Sequence, residues 1–382
     1  MARIIVASYV VRYPVGGYQS WALQWLVGFQ RLGHDVYFVE KAGWPGACYD
    51  PSRDVSSDDC SYGIRVFSDL LHRFDLGARW SFMDIQGRSH GLSRPQVEAL
   101  FQSADLLVDM GAPDGDWLPE AAQTSLRVLV DGEPGDTQMK MECQRAAGQA
   151  LPEFDRYYTV GLNIGTPQSS APTAGLSWHP IFDPVVVDLF PPCPISPNAP
   201  FTTIMSWQAH QPIDFGGAVY GQKDVEFAKF MDLPKRTRAS LEVALAGKQA
   251  PLPQLVAAGW RVRDSHALTL TCDSFKQYVS ESRGEFSVAK HVFVATNSGH
   301  FSERSAAYLA SGRPVVVQET GFSEHLPCGL GLFAVRTPDE AAAALDAICS
   351  NYERHSQAAR EIAREYLDAE RVLGQFLREL GI

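Results

Sequence analysis

Phe301-Ser302-Glu303-Arg304-Ser305-Ala306-Ala307-Tyr308-Leu309-Ala310-Ser311-Gly312-Arg313-Pro314-Val315-Val316-Val317 decides how the rest of the chain is read. Ser302 suits an N-cap, where a hydroxyl accepts from the first unpaired N–H groups, and Glu303 in the first turn suits the helix dipole. Small and apolar residues carry a helix to Ala310. Gly312 stops it, and a strand runs from Pro314 to Gln318. The same alternation opens the chain, where Ile4-Ile5-Val6-Ala7 runs into Val15-Gly16-Gly17-Tyr18, and restarts where Ile204-Met205-Ser206-Trp207 runs into Gly216-Gly217. A pattern begun twice predicts α/β architecture: two Rossmann-like, doubly wound domains facing each other across a cleft. Ligands of such sheets lie beyond the carboxyl ends of the strands.

Working outward, the first half reads as a helix from Ser20 to Leu32 stopped by Gly33, a strand from Asp35 to Val39, and a helix from Pro95 to Ser103. Strands follow at Leu106 to Met110 and Arg127 to Val130. Seven of the 24 prolines fall between Pro180 and Pro200. Proline neither donates to a ladder nor continues a helix, so this stretch is the expected linker. The second half offers strands at Thr202 to Trp207 and Leu241 to Leu245, a helix near Asp224 to Met231, and another near Ser274 to Ser280. A strand-like run, His291 to Ala295, precedes the helix Glu303 to Ala310, and a helix from Pro338 to Ser350 comes later. The expected division is a first domain over 1–180, a linker over 181–200 and a second domain over 201–355. A closing helix over 356–382 is expected to pack back on the first domain.

Composition narrows the function classes. A net charge of -11 and a pI near 5.4 argue against a polyanion-binding face, so nucleic acid and acidic lipid are expected not to be partners. No apolar run approaches the ~20 residues of a membrane helix. The first strand begins near Arg3, which leaves no room for a signal peptide. Seven cysteines, odd in number and without CxxC spacing, read as reduced thiols of a cytoplasmic protein, with neither a disulfide frame nor a zinc site.

Several residues carry chemistry. Gly16-Gly17 lets backbone N–H groups approach an anion at a helix start, or simply forms a tight turn. Glu40 ends the second strand, where dinucleotide enzymes place an acid for ribose, but the loop lacks GxGxxG spacing. A dinucleotide-dependent oxidoreductase is therefore the alternative, beside a non-catalytic sugar-nucleotide binder. Asp114-Gly115-Asp116 and Asp131-Gly132-Glu133 are paired carboxylates able to hold a metal or to form turns. The second pair follows a strand at its carboxyl end, so Asp131 and Glu133 are candidate bases, ahead of His210. Lys223, Lys290 and Arg304 are candidate cations for a diphosphate. His210 and His300 stand on expected cleft loops, where a lone histidine is more often structural.

The order Ser282-x-x-Glu285-Phe286-Ser287, then Ala306 to Val316, then Thr320-Gly321-Phe322-Ser323-Glu324 resembles the donor half of GT-B glycosyltransferases. There a Ser-x-x-Glu-Gly-Phe-Gly loop precedes a helix ending in Ala-x-Gly-x-Pro-Val, and a glycine loop with Glu follows. Gly17 to Val39, whose helix ends in Arg31-Leu32-Gly33-His34, resembles their opening unit, and Thr337-Pro338-Asp339-Glu340 with Ala358-Ala359-Arg360 resembles their tail. The chain departs from the pattern at Ala307, where retaining members carry the second of two glutamates. Glu303 stands one turn earlier, and His291 to His300 is inserted after Glu285. It also lacks the lysine of glycogen-synthase-like relatives. Stereochemistry is therefore left open. The resemblance implies a hexosyltransferase-like enzyme that takes a nucleoside diphosphate sugar such as a UDP-sugar, with a hydroxylated acceptor and without metal or further cofactor. It implies donor contacts from Gly16, Gly17, Lys223, Glu285, Phe286, Ser287, Lys290, Ser302, Glu303, Arg304, Thr320, Gly321 and Phe322.

Overall fold

Two separate sheets organise the chain in a computed structural model, which describes residues 1–111, 115–247 and 249–382. Asp114, a candidate carboxylate, lies outside the described residues. The first half supplies β1 (Arg3–Ala7), β2 (Asp35–Lys41), β3 (Cys48–Asp50), β4 (Val55–Ser57), β5 (Trp80–Met83), β6 (Ser89–Gly91), β7 (Leu106–Asp109), β8 (Leu126–Asp131), β9 (Arg156–Thr159) and β10 (Trp178–Pro180). Helices α1 (Gly16–Arg31), α2 (Ser61–His72), α3 (Arg94–Ser103) and α4 (Asp136–Ala146) join them. Eight of these strands form one sheet in the order β10-β9-β8-β7-β1-β2-β5-β6, parallel except for the edge hairpin β5–β6. Successive residues of β1 enter different cores. Ile4 and Val6 pack with α1 and α2, whereas Ile5 and Ala7 pack with α3. Burial on both faces is why the strand reads as a continuous apolar run.

The second half supplies β11 (Phe201–Ser206), β12 (Ile213–Phe215), β13 (Ala218–Tyr220), β14 (Leu241–Ala246), β15 (Arg261–Asp264), β16 (Gly284–Ser287), β17 (Val315–Gln318) and β18 (Leu332–Val335). Its helices are α5 (Lys223–Phe227), α6 (Leu252–Ala258), α7 (Ser265–Leu268), α8 (Cys272–Glu281), α9 (His291–Ala295), α10 (Glu303–Ala310), α11 (Pro338–Ser350), α12 (Tyr352–Ile362) and α13 (Ala369–Leu380). Six strands form an all-parallel sheet in the order β15-β14-β11-β16-β17-β18.

Two expectations are corrected. Gly216 and Gly217, both at positive φ, form the turn of the β12–β13 hairpin, which interrupts the expected direct run from strand through loop to helix. Two successive positive φ values are what a tight hairpin turn requires. His291 to Ala295 is helix, not strand, because burial of Val292 and Phe293 against Met139 outweighs the β propensity of valine and phenylalanine.

The halves are tied together at several points. Asn163 N–H donates to Ser298 O (3.0 Å), and Gly16 N–H donates to Thr269 O (2.6 Å). Arg73 grips Asp273 through both terminal nitrogens. After α12 the chain returns, pairing Val185 with residues beside Asp368, and α13 then packs on α1. Phe376 lies against Trp25 and Tyr158, and a Cβ on Gly28 would stand 2.6 Å from Leu373 Cδ1. Val372, Leu373, Phe376 and Leu377 thereby complete the core of the first sheet.

Candidate functional site

Strand order locates the crevices. In the second sheet the chain goes from β11 outward to β14 and β15, then returns to the other side of β11 as β16. The loops after β11 and β16 therefore diverge, which opens a binding crevice at the carboxyl end of the sheet. The first sheet switches in the same way between β1 and β7, where a small cavity is lined by Ser8, Arg12, Lys41, Asp109 and Trp117.

The crevice of the second sheet gathers charge. Lys223 starts α5, Lys290 precedes α9, and His300, Ser302, Glu303 and Arg304 surround the start of α10. Among the described residues the Lys223 ammonium has neither a hydrogen-bond nor an ion-pair partner, although part of the residue stays in contact with solvent. Burial, followed by repulsion from Arg304 and Lys290, pushes it down to about 7. Burial beside the same cations pushes His300 down to about 3, so its ring, packed 4.4 Å from Phe293, is neutral. Burial opposes ionisation of Glu303, but Arg304, the Ser302 hydroxyl and Lys223 together hold it below the usual glutamate range.

Across the crevice, Glu133 of the first half pairs directly with Lys290. Tyr9 and Tyr18, with ring centroids 5.1 Å apart, feel the charges of both Glu133 and Glu303, and burial raises both phenols. Asp183 accepts from Trp21 Nε1 at 2.7 Å, and burial beside Glu303 pushes it up to about 7. Tyr9, Tyr18 and Asp183 were missed by sequence reasoning. Tyr18 follows the Gly16-Gly17 pair directly, a signal that was available. Nothing local marked Asp183, which reaches the site only through the packing of 181–190 on α1.

The structure places the other expected residues differently. Arg304 spends its guanidinium inside the second half, donating to Glu285 Oε1 (2.7 Å), Ile204 O (3.0 Å) and Ser287 Oγ (2.8 Å). It shapes the crevice floor and contributes field, while Glu285 and Ser287 are buried beneath it. Phe286 and Phe322 are core residues. Ser302 caps α10 by accepting from Arg304 N–H. Thr320 Oγ1 donates to His300 O (2.6 Å) and holds that loop, and Gly321 N–H donates to Glu319 Oε1. The Gly16 N–H is taken by Thr269 O, whereas Gly17 is open and lines a cavity behind Glu303.

Asp131 is also occupied. It is buried and accepts from Glu133 N–H (2.8 Å), Gln138 Nε2 (2.8 Å) and Thr159 Oγ1 (2.8 Å), so it organises the turn into α4. Glu133 is the carboxylate of that pair which faces the crevice. His210 is exposed on the loop after β11 and feels the charges of Lys290 and Glu133. Glu40 accepts from the N–H groups of Val10, Val11 and Arg12, fixing the loop after β1, and is unavailable to a ribose. The dinucleotide alternative loses its acid.

No family model and no curated protein sequence matches the chain. Solved structures do. An alpha-glucosyltransferase in complex with UDP and a 13-mer DNA superposes with a TM-score of 0.60 at 10% identity, covering 100% of this chain and 99% of that one. Anabaena HepE in complex with UDP-glucose superposes with a TM-score of 0.58 at 12% identity, covering 100% of both chains. At such identities the likeness establishes the fold, the two-domain GT-B arrangement. It also corrects the exclusion of nucleic acid, since the fold houses an alpha-glucosyltransferase solved with DNA and net charge therefore does not decide the partner.

Proposed function

We propose that the chain is a glycosyltransferase that moves a sugar from a nucleoside diphosphate sugar, a UDP-sugar in the first instance, to a hydroxyl of a small molecule or glycan. The observation that carries this is Lys223, a partly desolvated ammonium without a partner among the described residues, in the switch-point crevice with Lys290 beside it. Such a group is costly until an anion neutralises it. A departing diphosphate is an anion of the right size, and preorganised cations stabilise the charge that develops as it leaves. The fold's likeness to structures holding UDP supports the same reading.

In this proposal residues 201–355 hold the donor, residues 1–180 hold the acceptor, and 181–200 joins them. Glu303 takes sugar or ribose hydroxyls, and Glu133 draws the proton from the acceptor. Glu133 is paired with Lys290, so donor binding frees it by giving Lys290 a phosphate partner. No metal takes part in the transfer, and the seven free cysteines support a reducing, cytoplasmic setting. Among the described residues no helix is long and apolar enough to cross a membrane.

The test is thermal. A nucleoside diphosphate that binds only the folded protein raises its melting temperature by mass action, whereas NAD and flavin nucleotides do so far less. If UDP, TDP, GDP and ADP all leave the transition unchanged while NAD shifts it, the proposal fails. Turnover is expected to survive EDTA at temperatures well below the melting point. Complete loss, restored by manganese or magnesium, would put a metal in the reaction.

A further inference from the structure

We propose that Cys60, Asp84 and His90 form a zinc site that staples the β5–β6 edge hairpin to the start of α2. His90 Nε2 stands 3.1 Å from Asp84 Oδ2 and 4.0 Å from Cys60 Sγ, and the three ligand atoms all lie within 4.8 Å of one another. Tetrahedral zinc, with bonds of about 2.0–2.3 Å, separates its ligand atoms by about 3.3–3.7 Å, so the group already has the scale of a site. A single imidazole nitrogen cannot satisfy both neighbours. Protonated, it donates to the carboxylate and makes no hydrogen bond to the thiol; unprotonated, it can accept from the thiol but turns its lone pair towards the carboxylate. A dication accepts all three lone pairs at once.

The surroundings fit a ligand set. Asp84 Oδ1 accepts from Gln86 N–H (3.0 Å) and Arg88 N–H (2.9 Å), which fixes the carboxylate and turns Oδ2 towards His90. Outer hydrogen bonds of this kind orient metal ligands. Arg88 Nε also reaches Oδ2 at 2.8 Å, but that side chain is 72% exposed and leaves readily once a dication balances the charge. Cys60 and Asp84 are buried, whereas the His90 side chain is 32% exposed and gives the ion a way in. A sulfur, a nitrogen and a carboxylate oxygen suit zinc, whereas magnesium and calcium prefer oxygen alone. Zinc would join two elements about 25–30 residues apart in sequence: the N-cap of α2 and the β5–β6 hairpin. This inference does not depend on the glycosyltransferase reading, because the cluster lies at the sheet edge, away from the charged crevice.

The full-length protein, stripped of metal with a chelator, is titrated with Co2+ and then with Zn2+. Expected are a near-ultraviolet thiolate-to-cobalt band saturating at one equivalent, tetrahedral visible absorption with water as the fourth ligand, displacement of both by Zn2+, and a higher melting temperature with Zn2+. Cys60→Ser abolishes the near-ultraviolet band, and Cys48→Ser, which alters the other buried thiol of this region, keeps it. Absence of the band in the unaltered protein, or its survival in Cys60→Ser, overturns the proposal. Should Cys60→Ser fail to fold, His90→Gln at the accessible edge decides. It weakens Co2+ binding at least about 100-fold if His90 is a ligand, and unchanged affinity overturns the site.

Discussion

In the proposed reading, Lys223 couples ligand binding to a proton. Unfolded, its amine stays charged to its ordinary pKa near 10.5, whereas in the fold burial and neighbouring cations bring it to about 7. Between these values the unfolded chain holds more protons, so stability contributed at this position rises with pH from about 7 towards 10.5, and the penalty is complete below 7. Lys223→Met is accordingly expected to melt higher than the unaltered protein at pH 6.5, with the gap closing towards pH 10, as thermal scans across pH would show. The same substitution weakens UDP by about 1.5–3 kcal/mol through loss of a charged hydrogen bond. Because diphosphate restores the charge, UDP binding near pH 7–8 takes up a proton, visible as calorimetric enthalpies that differ between buffers of different ionisation heat. Equal enthalpies across buffers would show that Lys223 does not meet the phosphates. Glu133→Gln should leave UDP affinity near its original value and depress single-turnover transfer, whereas Glu303→Gln should weaken donor binding by about 1–3 kcal/mol. Asp131→Asn is expected to act mainly on stability, since its carboxylate accepts three hydrogen bonds that position the turn.

Elements with their own punctuation were legible in the chain. Helix α10 begins and ends where Ser302 and Gly312 announce it, and α11 does so between Thr337 and Ser350. Elements decided by remote packing were not. The run His291 to Ala295 is helical because Val292 and Phe293 meet Met139, a residue on the other half that no local pattern reveals. The same limit applies to the site. Its cations stand near the motifs that announced them, but Arg304 turns inward to carbonyl and carboxylate groups from strands about 20 and 100 residues away. Asp183 and Tyr9 join the site only when the halves meet. Helix α1 begins at Gly16, earlier than periodicity suggests, because the α7–α8 connection closes on it. A Cβ there would lie 2.1 Å from Thr271 O. Gly16→Ala is therefore expected to cost about 1–3 kcal/mol of stability by overpacking. It should also part the two halves at this contact, seen as faster amide exchange at Gly16 and Cys272. Gly17→Ala, with open space around it, should do neither.

The whole molecule is closed by its last helix. Removing residues 369–382 strips Val372, Leu373, Phe376 and Leu377 from the core of the first sheet. At about 1.5–3 kcal/mol for each fully buried side chain, the loss rivals the stability of an entire domain. The truncated chain is expected to aggregate or lose cooperative unfolding by circular dichroism, and a truncated protein that still melts sharply would show α13 to be an accessory. One consequence belongs to the order of synthesis. Multidomain chains commonly fold their amino-terminal part first as it leaves the ribosome. Here that part waits for α13, because the ring of Phe376 sits between Trp25 and Tyr158. Until α13 emerges, the nascent first half keeps an open apolar face, which makes the interval between synthesis of the first sheet and of α13 the period when a chaperone matters most.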